Sequence, residues 1–376
     1  MDKYCGAESV EFIPGGKYYF KELENIIHSA REVLHLQTYI LDDDETGLTV
    51  IDALKKAAER GVKVFVLADG FGSSSIAKKY IKEMTAIGVS FRFFSPLFTS
   101  ESIFIGRRLH HKIVVADKQT ALVGGINIAN KYRGTSTELP WLDYAVLIKG
   151  DVCSYLHVLS ENFYLKKKFN KIIGYTCPST TKNIQVRFRR NDWIRKRSEI
   201  FLSYKEAMND ARKEIIIISS YFHPDPSLKV KIKQARARGV EVKVLLGGTS
   251  DVPLSKYGEQ YLYSSLLKQG VELYEWPHSV LHCKAIIRDD EWVSLGSYNL
   301  NELSHYLCIE LNIDINNKKL NSSLRSHLKP YLLPKFKVNK NKYLQINIWR
   351  RARNFVVYWC YYYIMKLFLP RKAAVA

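Results

Sequence analysis

Residues 109–127 read Leu-His-His-Lys-Ile-Val-Val-Ala-Asp-Lys-Gln-Thr-Ala-Leu-Val-Gly-Gly-Ile-Asn, and the same spacing of side chains returns in residues 281–299. In each copy a Lys follows a His after two positions, an Asp follows the Lys after five, and an Asn closes the unit ten positions after the Asp. The copies start 172 residues apart, at 109 and 281, and their agreement at all of these positions argues for a duplicated functional unit.

Each copy is predicted to form a β-hairpin. Apolar residues 113–115 and 121–123 indicate strands, with polar residues 117–120 between them. A turn centred between residues 118 and 119, or between 290 and 291, sets a register that pairs His110 with Asn127, Lys112 with Gly125, His282 with Asn299 and Lys284 with Ser297. Lys-Gln and Asp-Glu are poor residues for a primed two-residue turn, so a bulge or a longer loop is the alternative.

The hairpin pattern separates the motif residues by role. Residues two apart share one strand face, so the His and Lys of each copy point the same way, whereas Asp117 has the opposite parity and is predicted to be a turn residue. His111 lies off the catalytic face, and Cys283 is interpreted as a buried hydrophobic residue. An imidazole, an ammonium group, an amide and exposed glycine backbone at one end of a hairpin suit a phosphate oxyanion.

The pattern His-x-Lys-x4-Asp-x6-Gly-(Gly/Ser)-x-Asn, present twice, resembles the phospholipase D superfamily. More narrowly, it is similar to the bacterial cardiolipin synthases, in their short form without amino-terminal membrane spans. The resemblance runs from about residue 16 to about residue 316. It implies metal-independent phosphatidyl transfer through a phosphohistidine, joining two phosphatidylglycerol molecules into cardiolipin with release of glycerol and without a cofactor. A hydrolytic phospholipase D is the alternative, and a nuclease or a non-enzymatic membrane-binding module is a weaker one.

The resemblance also implies a role for each motif residue. The catalytic motif residues are His110, Lys112, Asp117, His282, Lys284 and Asp289, and the phosphate-binding residues are Gly125, Asn127, Ser297 and Asn299. His110 is expected to be the nucleophile, and His282 is expected to transfer protons. Asp143 and Glu310 match positions where the family keeps an acidic residue, and each is expected to orient one histidine, in an order that the sequence leaves open.

The rest of the chain alternates helices with strands, which predicts an α/β fold. Predicted helices at 18–30, 48–60 and 76–86 alternate with strands at 33–40, 62–68 and 89–93. The order recurs with helices at 204–211, 228–238 and 259–267 and strands at 214–219, 240–246 and 271–275. We therefore expect two pseudo-symmetric phospholipase D-like halves, residues 1–165 and 198–316. Each is a mixed β-sheet flanked by helices, and the active site lies at their interface.

The net charge of +20 is concentrated in two segments. Residues 166–197 carry eleven basic residues and one Asp, and residues 317–376 carry fourteen basic residues and no acidic one. They are interpreted as a basic linker and a basic aromatic tail. The remaining chain is slightly acidic, so no nucleic-acid partner is expected. The sequence does not determine the oligomeric state.

Two segments are candidate lipid contacts. In the loop before the first motif, Leu97, Phe98, Ile103, Phe104 and Ile105 are predicted to contact lipid chains, and Arg107 and Arg108 to contact head-group phosphates, although a loop packed on its own domain fits equally. The tail is rich in Tyr and Trp, but its uncharged run, residues 354–365, is too short to span a bilayer. An interfacial helix on an anionic membrane is favoured over a helix docked on the protein core.

The six cysteines show no spacing typical of a zinc site or a disulfide framework, which fits a reducing compartment. The amino terminus has no signal-peptide pattern. We therefore expect a peripheral protein at the cytoplasmic face of the bacterial cell membrane.

Overall fold

The computed structural model describes residues 3–96, 107–167, 172, 175, 177–179 and 184–368. The first half contains β1 (Cys5–Gly6), β2 (Ser9–Ile13), α1 (Gly16–Ser29), β3 (Val33–Thr38), α2 (Glu45–Glu59), β4 (Lys63–Asp69), α3 (Lys78–Ala86), β5 (Ser90–Phe94), β6 (Arg108–Leu109), β7 (Ile113–Ala116), β8 (Thr120–Gly124), α4 (Asn130–Arg133), β9 (Ala145–Lys149) and α5 (Ser154–Tyr164).

The second half continues with β10 (Gln185–Asp192), β11 (Arg197–Ser198), α6 (Glu199–Asp210), β12 (Glu214–Ser219), α7 (Pro226–Ala237), β13 (Glu241–Gly247), α8 (Pro253–Lys268), β14 (Glu272–Trp276), β15 (Ala285–Arg288), β16 (Trp292–Gly296), α9 (Glu302–Tyr306), β17 (Cys308–Asn316), α10 (Lys318–Leu328), α11 (Lys340–Leu344) and α12 (Ile348–Phe368). All six helices and six strands predicted outside the motifs are present. The helix predicted to begin at 259 begins earlier, at Pro253, since proline suits a first helical position.

The two sheets repeat one topology. The first has the strand order β2-β9-β8-β7-β3-β4-β5, and the second has β1-β10-β17-β16-β15-β12-β13-β14. In both, the hairpin strands run antiparallel and the three strands β3-β4-β5 or β12-β13-β14 run parallel. Each half is therefore a mixed sheet with helices against it, as the sequence predicts.

The two halves share one hydrophobic core. Val115 and Val123 of the first hairpin and Ile287 and Val293 of the second belong to the same buried cluster, and Leu324 of α10 is part of it. Each half also has its own second cluster on the outer face of its sheet, beneath its flanking helices. Because the shared core lies between the hairpins, it fixes the two motifs relative to each other.

The hairpin turns are one residue longer than the favoured prediction. Ala116 pairs with Thr120, so three residues form the first turn and the predicted register is shifted by one. Arg288 pairs with Trp292 in the second hairpin, which gives the same correction. Asp117 and Asp289 adopt positive φ angles of 50° and 49°. This left-handed backbone, which Asp tolerates, accommodates the extra residue.

Part of the predicted basic linker is a strand. β10 pairs with β17 along seven residues, from Gln185 to Asn191. Its arginines are neutralised internally: Arg187 lies 2.9 Å from Asp314, and Arg189 donates to Ser203 at 2.8 Å. The sequence did not indicate this strand, because arginines in buried ion pairs and arginines in a solvated linker give the same basic composition. These arginines therefore do not form a free basic surface.

The predicted tail begins with an element of the fold. Leu320, Leu324 and Leu328 of α10 are buried in the core that the halves share. Farther on, α12 packs against α8, and Arg353 lies 3.7 Å from the ring centroid of Tyr257. Along the described chain, no helix is both long and apolar enough to cross a membrane.

Cys5 and Cys177 form a disulfide with a Cα–Cα distance of 5.4 Å. The spacing of the cysteines in the sequence gives no indication of this disulfide. The partners are far apart in sequence and meet only because β1 crosses to the second sheet and pairs with β10. Since disulfides persist mainly in oxidising surroundings, cysteine usage no longer supports a reducing compartment.

Candidate active site

Backbone pairing between the halves places each histidine beside the acidic strand of the other half. β6 pairs in parallel with the start of β17, and the His110 N–H donates to the Ile309 carbonyl at 2.9 Å. In the reciprocal contact, the His282 N–H donates to the Leu142 carbonyl at 2.8 Å. Glu310 and Asp143 follow directly after these acceptors. The exchange of backbone hydrogen bonds thus decides which carboxylate serves which histidine.

His110 is oriented by Glu310. Its Nδ1 lies 2.8 Å from Glu310 Oε2 and 3.1 Å from the Ser297 carbonyl oxygen. The Ser297 hydroxyl donates to the same carboxylate oxygen at 2.5 Å and accepts the Leu311 N–H at 3.0 Å. With Nδ1 bonded to the carboxylate, Nε2 is left for the substrate.

His282 is oriented by Asp143. Its Nδ1 lies 2.6 Å from Asp143 Oδ2, and the Tyr144 N–H donates to Oδ1 at 2.8 Å. A Cβ at Gly125 would lie 2.4 Å from Asp143 Oδ1, so this carboxylate occupies space that only a glycine leaves free. Each histidine is therefore held by a carboxylate from the opposite half.

The motif lysines and asparagines are buried around the two imidazoles. Lys112 Nζ donates to the His110 carbonyl at 3.0 Å, and Lys284 Nζ donates to the His282 carbonyl. The Asn127 Nδ2 donates to the Tyr132 hydroxyl at 2.7 Å. These cations and amides surround the histidines as an oxyanion site requires. Among the side chains described, no group of three or more His, Cys, Asp or Glu could hold a metal ion.

Burial shifts the pKa values of the site residues in the directions that favour their neutral forms. It lowers the pKa of Lys112 to about 7, against the attraction of Glu310, and it lowers the pKa of His110. It raises the pKa of Asp143 to about 7, against Lys284. The pKa of His282 falls well below its ordinary value because of burial and Lys284. An entering phosphate anion would favour the protonated forms of the two lysines and of His282.

A cavity of about 640 Å³ opens onto the motif residues. Its lining includes His110, Asn127, His282 and Asn299. The remaining walls come from outside the motifs and include Tyr39, Tyr132, Trp141, Tyr221, Asp251, Val252, Leu254, Leu303, Val356, Val357, Cys360, Tyr361 and Ile364. Two histidines and two asparagines of the motifs therefore line one largely apolar cavity.

Comparison with known proteins identifies the family of this chain. The family model described as cardiolipin synthase, phospholipase D-like domain, matches residues 23–151 and 204–331. The chain belongs to this family. It is 34% identical to cardiolipin synthase B of Salmonella typhimurium over 86% of this chain and 81% of that protein. It is 32% identical to cardiolipin synthase B of Escherichia coli K12 over 85% of this chain and 79% of the relative.

A solved structure supports the fold. Phosphatidylserine synthase of Haemophilus influenzae Rd KW20 covers 98% of this chain and 97% of its own length, with a TM-score of 0.77. At 16% identity this likeness concerns the fold alone. The family match to both halves agrees with the two pseudo-symmetric halves that the sequence predicts.

Several predicted site residues have other roles in the structure. Asp117 accepts the N–H groups of Arg31, Glu32 and Val33 at 2.9 Å each, and Asp289 accepts those of residues 212–214. These aspartates cap the start of β3 and β12 at the turn end of the hairpins. They join neighbouring elements, which agrees with the turn role predicted from strand parity, and their assignment as catalytic residues stays a prediction.

Gly125 and Ser297 also differ from their predicted role as phosphate contacts. Gly125 gives room to Asp143, and Ser297 bonds to Glu310. Both positions therefore support the carboxylates that orient the histidines. His111 bonds through Nδ1 to Gln37 Oε1 at 2.9 Å, in agreement with its predicted place off the catalytic face.

The predicted head-group arginines are engaged in ion pairs. Arg107 lies 2.5 Å from Asp192, and Arg108 lies 3.4 Å from Asp69. Neither lines the cavity, so their predicted role as head-group contacts is not supported. The apolar residues proposed beside them, Leu97, Phe98, Ile103, Phe104 and Ile105, lie outside the described residues.

Sequence reasoning missed three aromatic residues of the site. The Tyr39 ring lies 5.0 Å from the His110 ring, between centroids, and Trp141 lies 5.8 Å from His282. The Tyr132 hydroxyl lies 3.4 Å from His282 Nε2. The position in the second half that corresponds to Tyr132 by spacing is Ser304, so the internal repeat gave no signal there.

Proposed function

We propose that the protein transfers a phosphatidyl group between two phosphatidylglycerol molecules, forming cardiolipin and releasing glycerol. The observation that carries this proposal is the pair of crossed His–carboxylate contacts, with His110 on Glu310 and His282 on Asp143. One imidazole is thereby available as a nucleophile and the other as an acid and base, within one cavity. The family match supports the same activity.

In the first step, His110 Nε2 attacks the phosphorus of the donor lipid. A P–N bond forms, the P–O bond to glycerol breaks, and His282 gives its proton to the leaving oxygen. Lys112 and Lys284 stabilise the charge on the phosphorane oxygens, with Asn127 and Asn299 as hydrogen-bond donors. The low pKa of His110 suits this role because an unprotonated imidazole is the nucleophile.

In the second step, a hydroxyl of the acceptor lipid attacks the same phosphorus. Its proton passes to His282, which is now neutral, a P–O bond forms, and the P–N bond to His110 breaks. Both histidines return to their initial state. Water in place of the acceptor would give phosphatidic acid, so synthesis requires that the acceptor be bound in preference to water.

The cavity walls suit lipid chains. Val252, Leu254, Leu303, Val356 and Ile364 form an apolar lining on the same chamber as the histidines. Two of these residues belong to α12, whose other side packs on α8 through the ring of Tyr358, 4.6 Å from that of Tyr261. We assign this lining to the acyl chains of the bound phospholipids.

The exposed surface of α12 is proposed to lie on an anionic membrane. Ile348 is 68% exposed and Trp349 is 79% exposed, and the arginines at 350 and 351 beside them are also exposed. Aromatic and basic side chains together are typical of the head-group level of a bilayer. The helix is thus both docked on the protein and available to lipid. This placement would bring the cavity to the bilayer surface.

The activity is tested with purified protein, phosphatidylglycerol vesicles and EDTA, with the products read by mass spectrometry. We expect cardiolipin and glycerol in equal amounts, and we expect this activity to persist in EDTA. Phosphatidic acid as the main product would contradict the transferase proposal and favour the hydrolase. Vesicles of phosphatidylethanolamine alone provide the comparison for head-group preference.

Membrane docking is tested with Ile348→Ser/Trp349→Ser. Vesicle sedimentation should show binding reduced by roughly tenfold or more, because two large apolar side chains no longer enter the interface. Turnover of lipid dispersed in detergent should not change. Leu202→Ser, at a 45% exposed apolar residue on α6, is the control. Equal vesicle binding by the double variant and the control would contradict the role of α12.

A further inference from the structure

A tyrosine–aspartate pair lies in the wall of the catalytic cavity and has no part in the mechanism described above. The Tyr221 hydroxyl contacts both carboxylate oxygens of Asp251, at 2.8 and 2.9 Å. Tyr221 follows β12, and Asp251 precedes α8, so the contact joins two loops at the carboxyl ends of parallel strands. Both residues line the cavity that also holds His282.

A carboxylate on this wall is unexpected for a site that binds phosphate. Among the described lining residues Asp251 is the one carboxylate, because Asp143 and Glu310 lie behind the histidines. Burial lowers the pKa of Lys284, and Asp251 is one of the groups that oppose this lowering, after Asp143, Cys283 and Glu310. A negative charge so near a phosphodiester weakens anion binding, so a compensating interaction with another part of the substrate is expected.

The cavity also contains a cation that could bind the phosphodiester of a lipid head group. Lys131 lines the same chamber, with its ammonium group 5.0 Å from the ring centroid of Trp141. A phosphatidylglycerol head group carries one phosphodiester and two hydroxyls. A lysine and a carboxylate that line the same cavity complement these two groups, because a carboxylate accepts hydrogen bonds from hydroxyls and an ammonium group binds phosphate.

We propose that Asp251, held in place by Tyr221, binds the glycerol hydroxyls of the acceptor head group and selects a polyol over water or a simple alcohol. This inference rests on the proposed function and names the acceptor subsite of that activity. The carboxylate accepts a hydrogen bond from the secondary hydroxyl. The primary hydroxyl then attacks phosphorus, its proton passes to His282, and the P–N bond to His110 breaks as described above.

The test compares three acceptors with one donor, phosphatidylglycerol: labelled glycerol, 1-propanol and ethanolamine. The wild-type protein should form labelled phosphatidylglycerol in preference to phosphatidylpropanol at equal acceptor concentration. In Asp251→Ala this ratio should fall by roughly tenfold or more, the effect of losing a hydrogen bond to a charged acceptor, while the rate of transfer to 1-propanol is kept. In Asp251→Asn the ratio should fall less, because the amide oxygen of Asn still accepts a hydrogen bond.

Tyr221→Phe should lower the same ratio by a smaller factor, since the carboxylate remains but is less well fixed. Asp210→Asn, which alters an exposed aspartate paired with Arg288, is the matched control and should leave the ratio unchanged. An unchanged ratio in Asp251→Ala, or an equal loss of transfer to glycerol and 1-propanol, would overturn the proposal. So would a specific loss of ethanolamine transfer, because Asp251 would then recognise an ammonium group.

The outcomes also separate this inference from the proposed function. A wild-type protein that transfers the phosphatidyl group to water alone, and to none of the three acceptors, contradicts the transferase activity itself. A wild-type protein that forms cardiolipin, together with an Asp251→Ala variant of unaltered acceptor preference, contradicts only the acceptor subsite.

Discussion

The two half-sites have the same topology but differ in the residues that hold the carboxylates. In one, Glu310 lies between His110 and the hydroxyl of Ser297. In the other, the shorter Asp143 reaches His282 beside Gly125, which has no side chain to contact the carboxylate. The Asp143 carboxyl, buried and without a hydroxyl donor, has its pKa raised to about 7. The duplicated unit has therefore diverged at the positions that set protonation.

This difference suits the two histidines to different chemical roles. A carboxyl whose pKa is about 7 allows the His282–Asp143 pair to exchange a proton near neutral pH, which an acid and base requires. His110 has a lowered pKa and a carboxylate fixed by Ser297, which suits an unprotonated nucleophile. The assignment of His110 as nucleophile remains a prediction, which substitutions in the two half-sites test.

The largest effect is expected from the histidines themselves. His110→Ala and His282→Ala should each lower turnover of phosphatidylglycerol by about 10⁴-fold or more, since each removes a group that takes part in bond making. A donor with a p-nitrophenol leaving group needs no acid, so it should restore release of the leaving group in His282→Ala but not in His110→Ala. His111→Ala, which alters a buried histidine off the site, is the control. Rescue of His110→Ala instead would reverse the assignment.

The next effect concerns the residues beneath the carboxylates. Gly125→Ser should lower turnover strongly and destabilise the protein by about 1–3 kcal/mol, because its Cβ would overlap Asp143. Ser297→Ala should lower turnover by roughly tenfold and destabilise the protein by about 1–3 kcal/mol, through loss of its hydrogen bonds to Glu310 and Leu311. Activity assays and thermal unfolding check both. Full activity in Gly125→Ser would show that the asymmetry has no functional meaning.

The pH dependence of kcat/KM should reflect the shifted pKa values of residues in both half-sites. On the alkaline side, kcat/KM should fall as pH rises through about 7, because Lys112 and Asp143 lose their protons in the free enzyme. On the acidic side, it should fall only below the ordinary imidazole range, since the pKa of His110 is lowered. A pH profile on vesicles of fixed composition measures both limbs. A rise in kcat/KM between pH 7 and 9 would contradict this account.

The smallest effect on turnover is expected at the turn aspartates. Asp117→Asn and Asp289→Asn should each destabilise the fold by about 1–2 kcal/mol, because each carboxylate accepts three backbone N–H groups. Their kcat values should stay within about twofold of wild type. Thermal unfolding and a vesicle assay at a temperature well below the transition separate the two effects. A loss of turnover without a loss of stability would return these residues to the catalytic motif.

The sequence predicted the repeated architecture and the central motif residues because both depend on local pattern. The alternation of apolar and polar residues, together with the spacing of His110, Lys112 and Asn127, predicts the hairpin and the end of it at which the histidine lies. The family match agrees with the two-half fold. The hairpin register was wrong by one residue because it depends on the backbone angles of Asp117, which composition does not show.

The remaining features depend on contacts between segments distant in sequence. The pairing of Glu310 with His110 follows from β6 lying beside β17, an exchange that no local pattern predicts. The strand β10 was read as a linker because its arginines are neutralised by acids far along the chain. The disulfide of Cys5 depends in the same way on β1 crossing to the other sheet.

In the proposed mechanism, His110 carries the phosphatidyl group while His282 moves protons. Acid quenching during turnover, followed by peptide mapping with mass spectrometry, tests it most directly. We expect a phosphatidyl adduct on the peptide that contains His110, more abundant in His282→Ala with the p-nitrophenyl donor because resolution by the acceptor is slowed. An adduct on His282, or no adduct on either histidine under conditions of active turnover, would contradict it.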